Sequence, residues 1–437
     1  MLANLPIWIQ LPLLLVCGAL IGAFINWAIY KWAAFTQRRI SPWTKPETDE
    51  TKRTGLDYVP IIGWLGRRRD SNIHGRGFCI RPMLIEIAWA IGLPWFYNWQ
   101  SSGGLTGGIA NPVLHYETWF LVHTFFLAFL FIATFIDFDE KTIPDEVTVT
   151  GTLVALVVAL FAPWFRLPYD AAPQLNGVLE VLPLHFGSPN DIPGFHHGIW
   201  GLVIAMVIYA IWIWALFPKL CPWMFGLKNT WRFMIAYAFQ VKRKTKCDIR
   251  IEQRQTPGLT ILLCVLFVIG MIAIPLAWML YKNTASWDSM FGAFIGLAFG
   301  GGFIWAIRVI GTYALGTEAM GFGDVTLMAM IGAFLGWQAA LLAFVMAPFF
   351  GMFVAVAQLV ITRKTVIAFG PYLCGGAATV LFSWNWLWPR AAAGMFSLGP
   401  ILIYILLGSL VLMGAMLIGL QWIKGLIHGK EEFSTGR

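Results

Sequence analysis

Two aspartates are set apart by their surroundings. Asp324 follows a Gly-Phe-Gly turn in EAMGFGDVTLMAMIGAFLG, Glu318 to Gly336, and no charged residue follows it until Arg363. Asp137 ends another apolar run and opens into I-D-F-D-E-K-T-I-P-D-E-V, Ile136 to Val147. A carboxylate at the mouth of an apolar segment is costly to keep ionised, because low-dielectric surroundings disfavour the charged form. Gly321 and Gly323 give the turn before Asp324 backbone freedom and allow close approach. Two carboxylates that share a site do not both ionise readily, so one keeps its proton. Such a pair can serve as base and acid for a water attacking a peptide carbonyl. Each aspartate taken alone reads more simply as a helix cap near an interface.

Other groups compete for attention. Glu86 falls in the first turn of an apolar run, an expensive place for a carboxylate unless it is exposed or paired, so it is a candidate substrate or cofactor contact. Asp139, Glu140 and Asp145 read as solvated loop with Lys141 as a weak partner. Asp145 sits where an N-cap belongs, with Glu146 in the first turn. Glu318 is close enough in sequence to tune Asp324. His196-His197 suggests a metal, but no third and fourth ligand lie nearby in sequence, so no metal is expected there. Arg308, in an apolar run, reads as a snorkelling side chain. The six cysteines (Cys17, Cys79, Cys221, Cys247, Cys264, Cys374) contain no C-x-x-C pair, which argues against a zinc tetrad.

The elements that must position these groups are apolar helices. A chain that is 58% hydrophobic and 12% charged, with a mean hydropathy of +0.70, is not a soluble globular protein. Runs near the length that crosses hydrocarbon recur throughout, so the expected fold is an all-α polytopic membrane protein. The net charge of +8 orients the chain rather than marking nucleic-acid affinity, because Lys and Arg collect in cytoplasmic loops. Eleven spans are expected: about 7–30, 83–99, 119–136, 147–165, 199–216, 259–280, 290–310, 325–335, 339–360, 369–387 and 400–423. The eighth is short, and a tilt or an extension through Gly336-Trp337 would lengthen it. The basic segments, about 31–80, 219–254, 362–364 and the tail, then share one side. That places the N-terminus outside, the C-terminus in the cytoplasm, and both aspartates at the cytoplasmic face. The opening MLANLPIWIQ lacks a basic n-region, so the first run reads as a retained helix and not a cleaved signal peptide.

With these residues in view, the chain resembles the type IV prepilin peptidases, membrane aspartic proteases of the GxGD kind. G-F-G-D (321–324) with the following L-M-A-M-I-G-A-F-L-G-W-Q resembles the second active-site motif of that family, and I-D-F-D-E-K-T-I-P-D resembles the first. F-G-P-Y (369–372), G-A-F-I-N (22–26), V-P-I-I-G-W-L (59–65) and R-P-M-L-I-E (81–86) resemble further segments in the family's order. The resemblance implies that Asp137 and Asp324 are catalytic. It also implies cleavage of the basic leader of prepilins or pseudopilins at the cytoplasmic face of a bacterial inner membrane. N-methylation of the new terminus with S-adenosylmethionine often accompanies that cleavage. On charge grounds Asp139, Glu140 and Glu318 are candidate contacts for the basic leader.

Two departures qualify the resemblance. Many members carry two C-x-x-C pairs in the first cytoplasmic loop, whereas this one holds Cys79 alone, so zinc is not carried over. The stretch between the aspartates is long. The expected organisation is an N-terminal region (1–115), a peptidase domain (116–387) with an insertion at about 166–287, and an added C-terminal helix with its tail (388–437). Two other readings are a proton-coupled transporter using Asp137 and Asp324 as relays, and an inactive relative serving as a scaffold. A transporter places acidic groups nearer the middle of spans, and intact aspartates argue against an inactive relative.

Overall fold

The computed structural model describes residues 2–33, 42–43, 53–108, 113–173, 179–191, 194–217, 257–316, 319–361 and 368–428. Each apolar run expected to span is a helix. The long helices are α1 (Ile7–Trp32), α2 (Ile80–Ser101), α3 (Val113–Glu140), α4 (Asp145–Phe161), α5 (Ile199–Leu216) and α6 (Pro257–Tyr281). They continue with α7 (Ala285–Leu315), α8 (Phe322–Leu335), α9 (Trp337–Ile361), α10 (Gly370–Leu387) and α11 (Pro400–His428). Among the described residues six of them, α1, α3, α5, α6, α7 and α11, are long and apolar enough to cross a membrane. The chain is a multi-pass, essentially all-helical membrane protein. The expected basic stretches at 219–254 and 362–364, most of the tail, and Glu318 lie outside the described residues.

Small residues set the closest helix contacts, as they must where lipid supplies no hydrophobic drive between helices. A Cβ on Gly18 of α1 would lie 2.3 Å from the Trp89 carbonyl oxygen of α2, and one on Gly22 would lie 2.7 Å from the Glu86 Cα. The α7–α8 pair is as tight. Gly296 and Gly332 face each other so closely that a Cβ on either would meet the other's carbonyl oxygen at 2.0 Å.

Helix α8 is buried on every side from Asp324 to Leu335, enclosed by α4, α7, α9 and α10. Its 14 residues reach about 21 Å, less than the hydrocarbon thickness of about 30 Å. It does not lengthen through Gly336. That residue takes φ +92°, ends α8 and starts α9 at once. The turn is covered from the end of the bundle opposite Asp324. Trp337 Nε1 donates to the Phe186 carbonyl at 2.7 Å, and Gln338 Nε2 to the His185 carbonyl at 2.8 Å.

The stretch from Arg166 to His197 is therefore more than a loose connection. It contains a departure from the expected all-helical fold, an antiparallel pair β1 (Pro168–Pro173) and β2 (Leu179–Pro183). Prolines begin and end β1 and close β2, where a missing N–H costs the ladder least. Indoles pin this stretch to the bundle. Trp119 donates to the Arg166 carbonyl, Trp384 to Pro168, Trp388 to Tyr169, Trp287 to His196 and Trp278 to His197. Arg166 is buried and donates to the carbonyl of Ser289 on α7 at 2.6 Å.

At the end of the bundle that holds Asp137, residues 53–79 form short helical turns on polar contacts. Arg67 is buried between the rings of Trp64 and Phe78 and pairs with Asp70 at 3.3 Å. Asp57 accepts from the Thr54 amide at 2.7 Å and pairs with Arg69. Buried charges persist when paired in this way.

Candidate active site

Asp137 lies in the last turn of α3. Lys141 closes that helix in the left-handed region, φ +57°, with its amide donating to the Asp137 carbonyl at 3.0 Å. The chain then extends to Pro144, which takes the N-cap of α4. Asp145 was expected at that cap and instead lies one residue inside, beside Glu146, because Pro144 already has the extended backbone of a cap. Both acids still favour the positive helix end.

Asp324 is the third residue of α8, after Gly321 at the N-cap, and accepts a backbone hydrogen bond from Gly321. An acid at that position reaching back to the cap satisfies an amide left unpaired at the helix start. Gly323 packs on the Ile143 turn, where a Cβ would lie 3.0 Å from the Ile143 Cβ and 3.2 Å from its amide nitrogen. The sequence motif thus has a steric basis: the two loops carrying the aspartates touch through Gly323.

The two carboxylates meet at one place. Both are buried, Asp137 at 4% exposure and Asp324 at 9%. The segments that carry them converge on Ile143: Gly323, next to Asp324, packs on its backbone, and Gly370, against Asp137 Oδ2, abuts its Cδ1. Helix α10 forms the third wall. Its first residue, Gly370, donates its amide to Asp137 Oδ2 at 3.1 Å, and one turn on, the buried Cys374 thiol lies within the field of both aspartates.

The remaining expected residues have the following surroundings. Glu86 is buried and accepts from Asn26 Nδ2 at 3.0 Å, Trp64 Nε1 at 2.8 Å and the Ile61 amide at 2.5 Å. It ties α1, α2 and the 53–79 segment together, so its polar contacts are made within the protein. Ile61 has φ +66°, an unfavourable backbone for a β-branched residue, held by that contact. Asp139 is exposed, as a solvated acid should be, but it lies in the last turn of α3 rather than in a loop and has a partner other than Lys141. Arg81 Nη1 donates to both its oxygens, at 2.8 and 2.9 Å, while the guanidinium lies over the Phe135 ring. Glu140 is half-buried at the end of α3. Arg308 has fixed partners: its Nε donates to the Met320 carbonyl at 2.8 Å and its guanidinium covers the Phe322 ring. It thereby holds the turn that delivers Asp324. Sequence reading missed this role, and the only signal was a lone charge in an apolar run.

His196 and His197 gain a partner that their neighbours in sequence do not supply. Asp288 of α7 places Oδ1 2.8 Å from His196 Nε2 and 3.7 Å from His197 Nδ1. At the other end of the bundle, Cys79 stands without further cysteines in its loop, so the residues there do not fit a zinc tetrad. Ion pairs and stacked arginine hold that segment instead.

Comparison with known proteins agrees with the second motif. Residues 257–356 match the family model of the type IV leader peptidases, a stretch that includes Asp324. The chain is 31% identical over 107 residues to a prepilin leader peptidase/N-methyltransferase of Aeromonas hydrophila, covering 23% of this chain and 37% of that protein. It is 32% identical over 107 residues to that of Pseudomonas aeruginosa, with the same coverage. For the Escherichia coli protein of that name the figures are 28% over 124 residues, 26% of this chain and 53% of the relative. The chain thus spans 37% to 53% of the length of these curated relatives. No solved structure matches it. The resemblance to type IV prepilin peptidases read from the motifs is borne out over these stretches.

Proposed function

We propose that this chain is a membrane aspartic endopeptidase that removes the basic leader of type IV prepilins or pseudopilins, with Asp137 and Asp324 as its catalytic pair. The observation that carries the reading is the convergence of two buried carboxylates from α3 and α8, walled by the first turn of α10. One carboxylate takes a proton from water as its oxygen attacks the scissile carbonyl. The other, protonated, gives its proton to the carbonyl oxygen, and collapse of the tetrahedral intermediate passes a proton to the departing amine. Gly323 lets the turn that carries Asp324 close on Ile143, and Gly321 caps the helix that holds it.

In this reading the chain passes a bacterial inner membrane eleven times, the short α8 doing so enclosed by its neighbouring helices, the N-terminus is outside, and the aspartates face the cytoplasm. The basic character of the 53–79 segment beside Asp137 supports that orientation. The reading keeps divisions at 115/116 and 387/388 with an insertion at about 166–287, the bilayer as the surrounding partner and no nucleic acid. N-methylation of the new terminus with S-adenosylmethionine is the second activity proposed, on the names of the relatives. A transporter reading gains no support, since both aspartates lie at helix ends.

The test is mass spectrometry of a prepilin co-expressed with the wild type, Asp137→Asn or Asp324→Asn. The wild type should give the shortened chain, with a methyl group on its new terminus. Either variant should leave the leader in place while still inserting in the membrane. Unchanged processing by a variant removes that residue from catalysis, and shortened but unmethylated product means peptidase alone.

A further inference from the structure

We propose that His196, His197 and Asp288 form a divalent transition-metal site at the end of the bundle opposite Asp137 and Asp324. Their ligand atoms, Nε2, Nδ1 and a carboxylate oxygen, all lie within 4.8 Å of one another. A tetrahedral ion with bonds of about 2.1 Å holds its ligand atoms roughly 3.4 Å apart, so small side-chain shifts close the set. Two imidazoles and a carboxylate suit Zn²⁺ and its neighbours, not Mg²⁺ or Ca²⁺, which prefer oxygen.

The site is built rather than assembled by chance of exposed side chains. His196 is buried at 1% exposure, with its ring among Phe186, Phe195 and Phe291. The carbonyls of both histidines are fixed by indoles, His196 by Trp287 at 2.8 Å and His197 by Trp278 at 3.0 Å. Those indoles come from α6 and α7, so the backbone of the pair is held from two sides. His197 and Asp288 are each about one third exposed, which leaves an open side for water or a further ligand. Lys282 turns its ammonium over the Trp278 ring, 5.0 Å from its centroid. On binding, His196 Nε2 and His197 Nδ1 must both be bare. His197 moves its single ring proton from Nδ1, where it is donated to the Lys282 carbonyl, to Nε2, and that hydrogen bond is lost.

Asp288 and Arg308 are both on α7, twenty residues apart, a separation of about 30 Å along a helix. The metal would clamp the His196–His197 turn to the α6–α7 corner without touching the aspartates.

The full chain, carrying no polyhistidine tag, is purified in detergent, stripped with chelator, loaded with Zn²⁺ and passed over a desalting column. Elemental analysis should then find one zinc per chain, and excess Mg²⁺ or Ca²⁺ should not displace it. His197→Ala and Asp288→Asn should each lose that zinc while eluting as monodisperse protein, and Zn²⁺ should raise the melting temperature of the wild type alone. Zinc retained equally by the variants, or none retained by the wild type, overturns the site and leaves a hydrogen-bonded latch. His197→Ala is the safer variant, because its ring is partly exposed. The wild-type stoichiometry decides even where Asp288→Asn does not fold.

Discussion

The Gly370 amide donates to Asp137 Oδ2 at 3.1 Å, across 233 residues of chain. The contact is so close that a Cβ on Gly370 would lie 2.6 Å from that oxygen and 2.8 Å from Ile143 Cδ1. Backbone and carboxylate are therefore fitted to each other, and the Phe-Gly-Pro turn does more than start a helix. It orients one member of the proposed catalytic pair and satisfies one of its lone pairs.

Gly370→Ala should consequently displace Asp137 without removing it. A misplacement near 1 Å costs catalysis roughly a hundredfold, and leader removal should fall by about that factor while membrane insertion persists. The measurement is the initial rate of prepilin shortening by purified variant and wild type in the same detergent. A variant cleaving at the wild-type rate would show that the tight contact has no bearing on the chemistry.

Arg308 acts at a distance of one turn. Its Nε–H holds the Met320 carbonyl at 2.8 Å, its plane covers Phe322, and its charge reaches Asp324. Lysine can restore the charge but not the directed Nε–H or the planar stacking. Arg308→Lys should thus retain only part of the cleavage rate and Arg308→Gln still less, with KM for the prepilin little changed in both. A large rise in KM with kcat preserved would instead assign Arg308 to substrate binding.

What the sequence disclosed follows from the range of the forces involved. Apolar runs of spanning length encode helices locally, and all eleven expected segments are helical. Asp137 and Asp324 were legible because a carboxylate is rare beside such runs. The partners were not. Asn26 and the Ile61 amide on Glu86, Gly370 on Asp137, and Asp288 on His196 are tertiary contacts with no local periodicity. The β1–β2 pair was hidden for the same reason, since it lies in a proline-bounded stretch without clear alternation. Glu86 was recognised as costly, and the structure shows how that cost is met: three donors converge on a buried carboxylate.

The 53–79 segment carries a pH dependence whose sign can be worked out. Asp57 is buried, which pushes its carboxyl up, but the Thr54 amide and the Arg69 guanidinium outweigh that and hold it below the ordinary carboxylate range. The unfolded segment then binds the proton more readily than the folded one. Asp57 stabilises the fold above its unfolded value, and this contribution is lost as pH falls through the lower folded value. Hydrogen exchange at residues 54–66, corrected for the intrinsic effect of pH, should show steady protection from neutrality to about pH 5 and a loss below about pH 4. Asp57→Asn should show reduced protection already at neutral pH, by roughly 1–3 kcal/mol for a charged hydrogen bond removed, and little further change on acidification. Because Ile61 and Trp64 of this segment bind Glu86, the loosening should spread to the first turns of α2. If the wild type and Asp57→Asn lose protection along the same curve, the segment is held by other contacts and the ion pair with Arg69 is incidental.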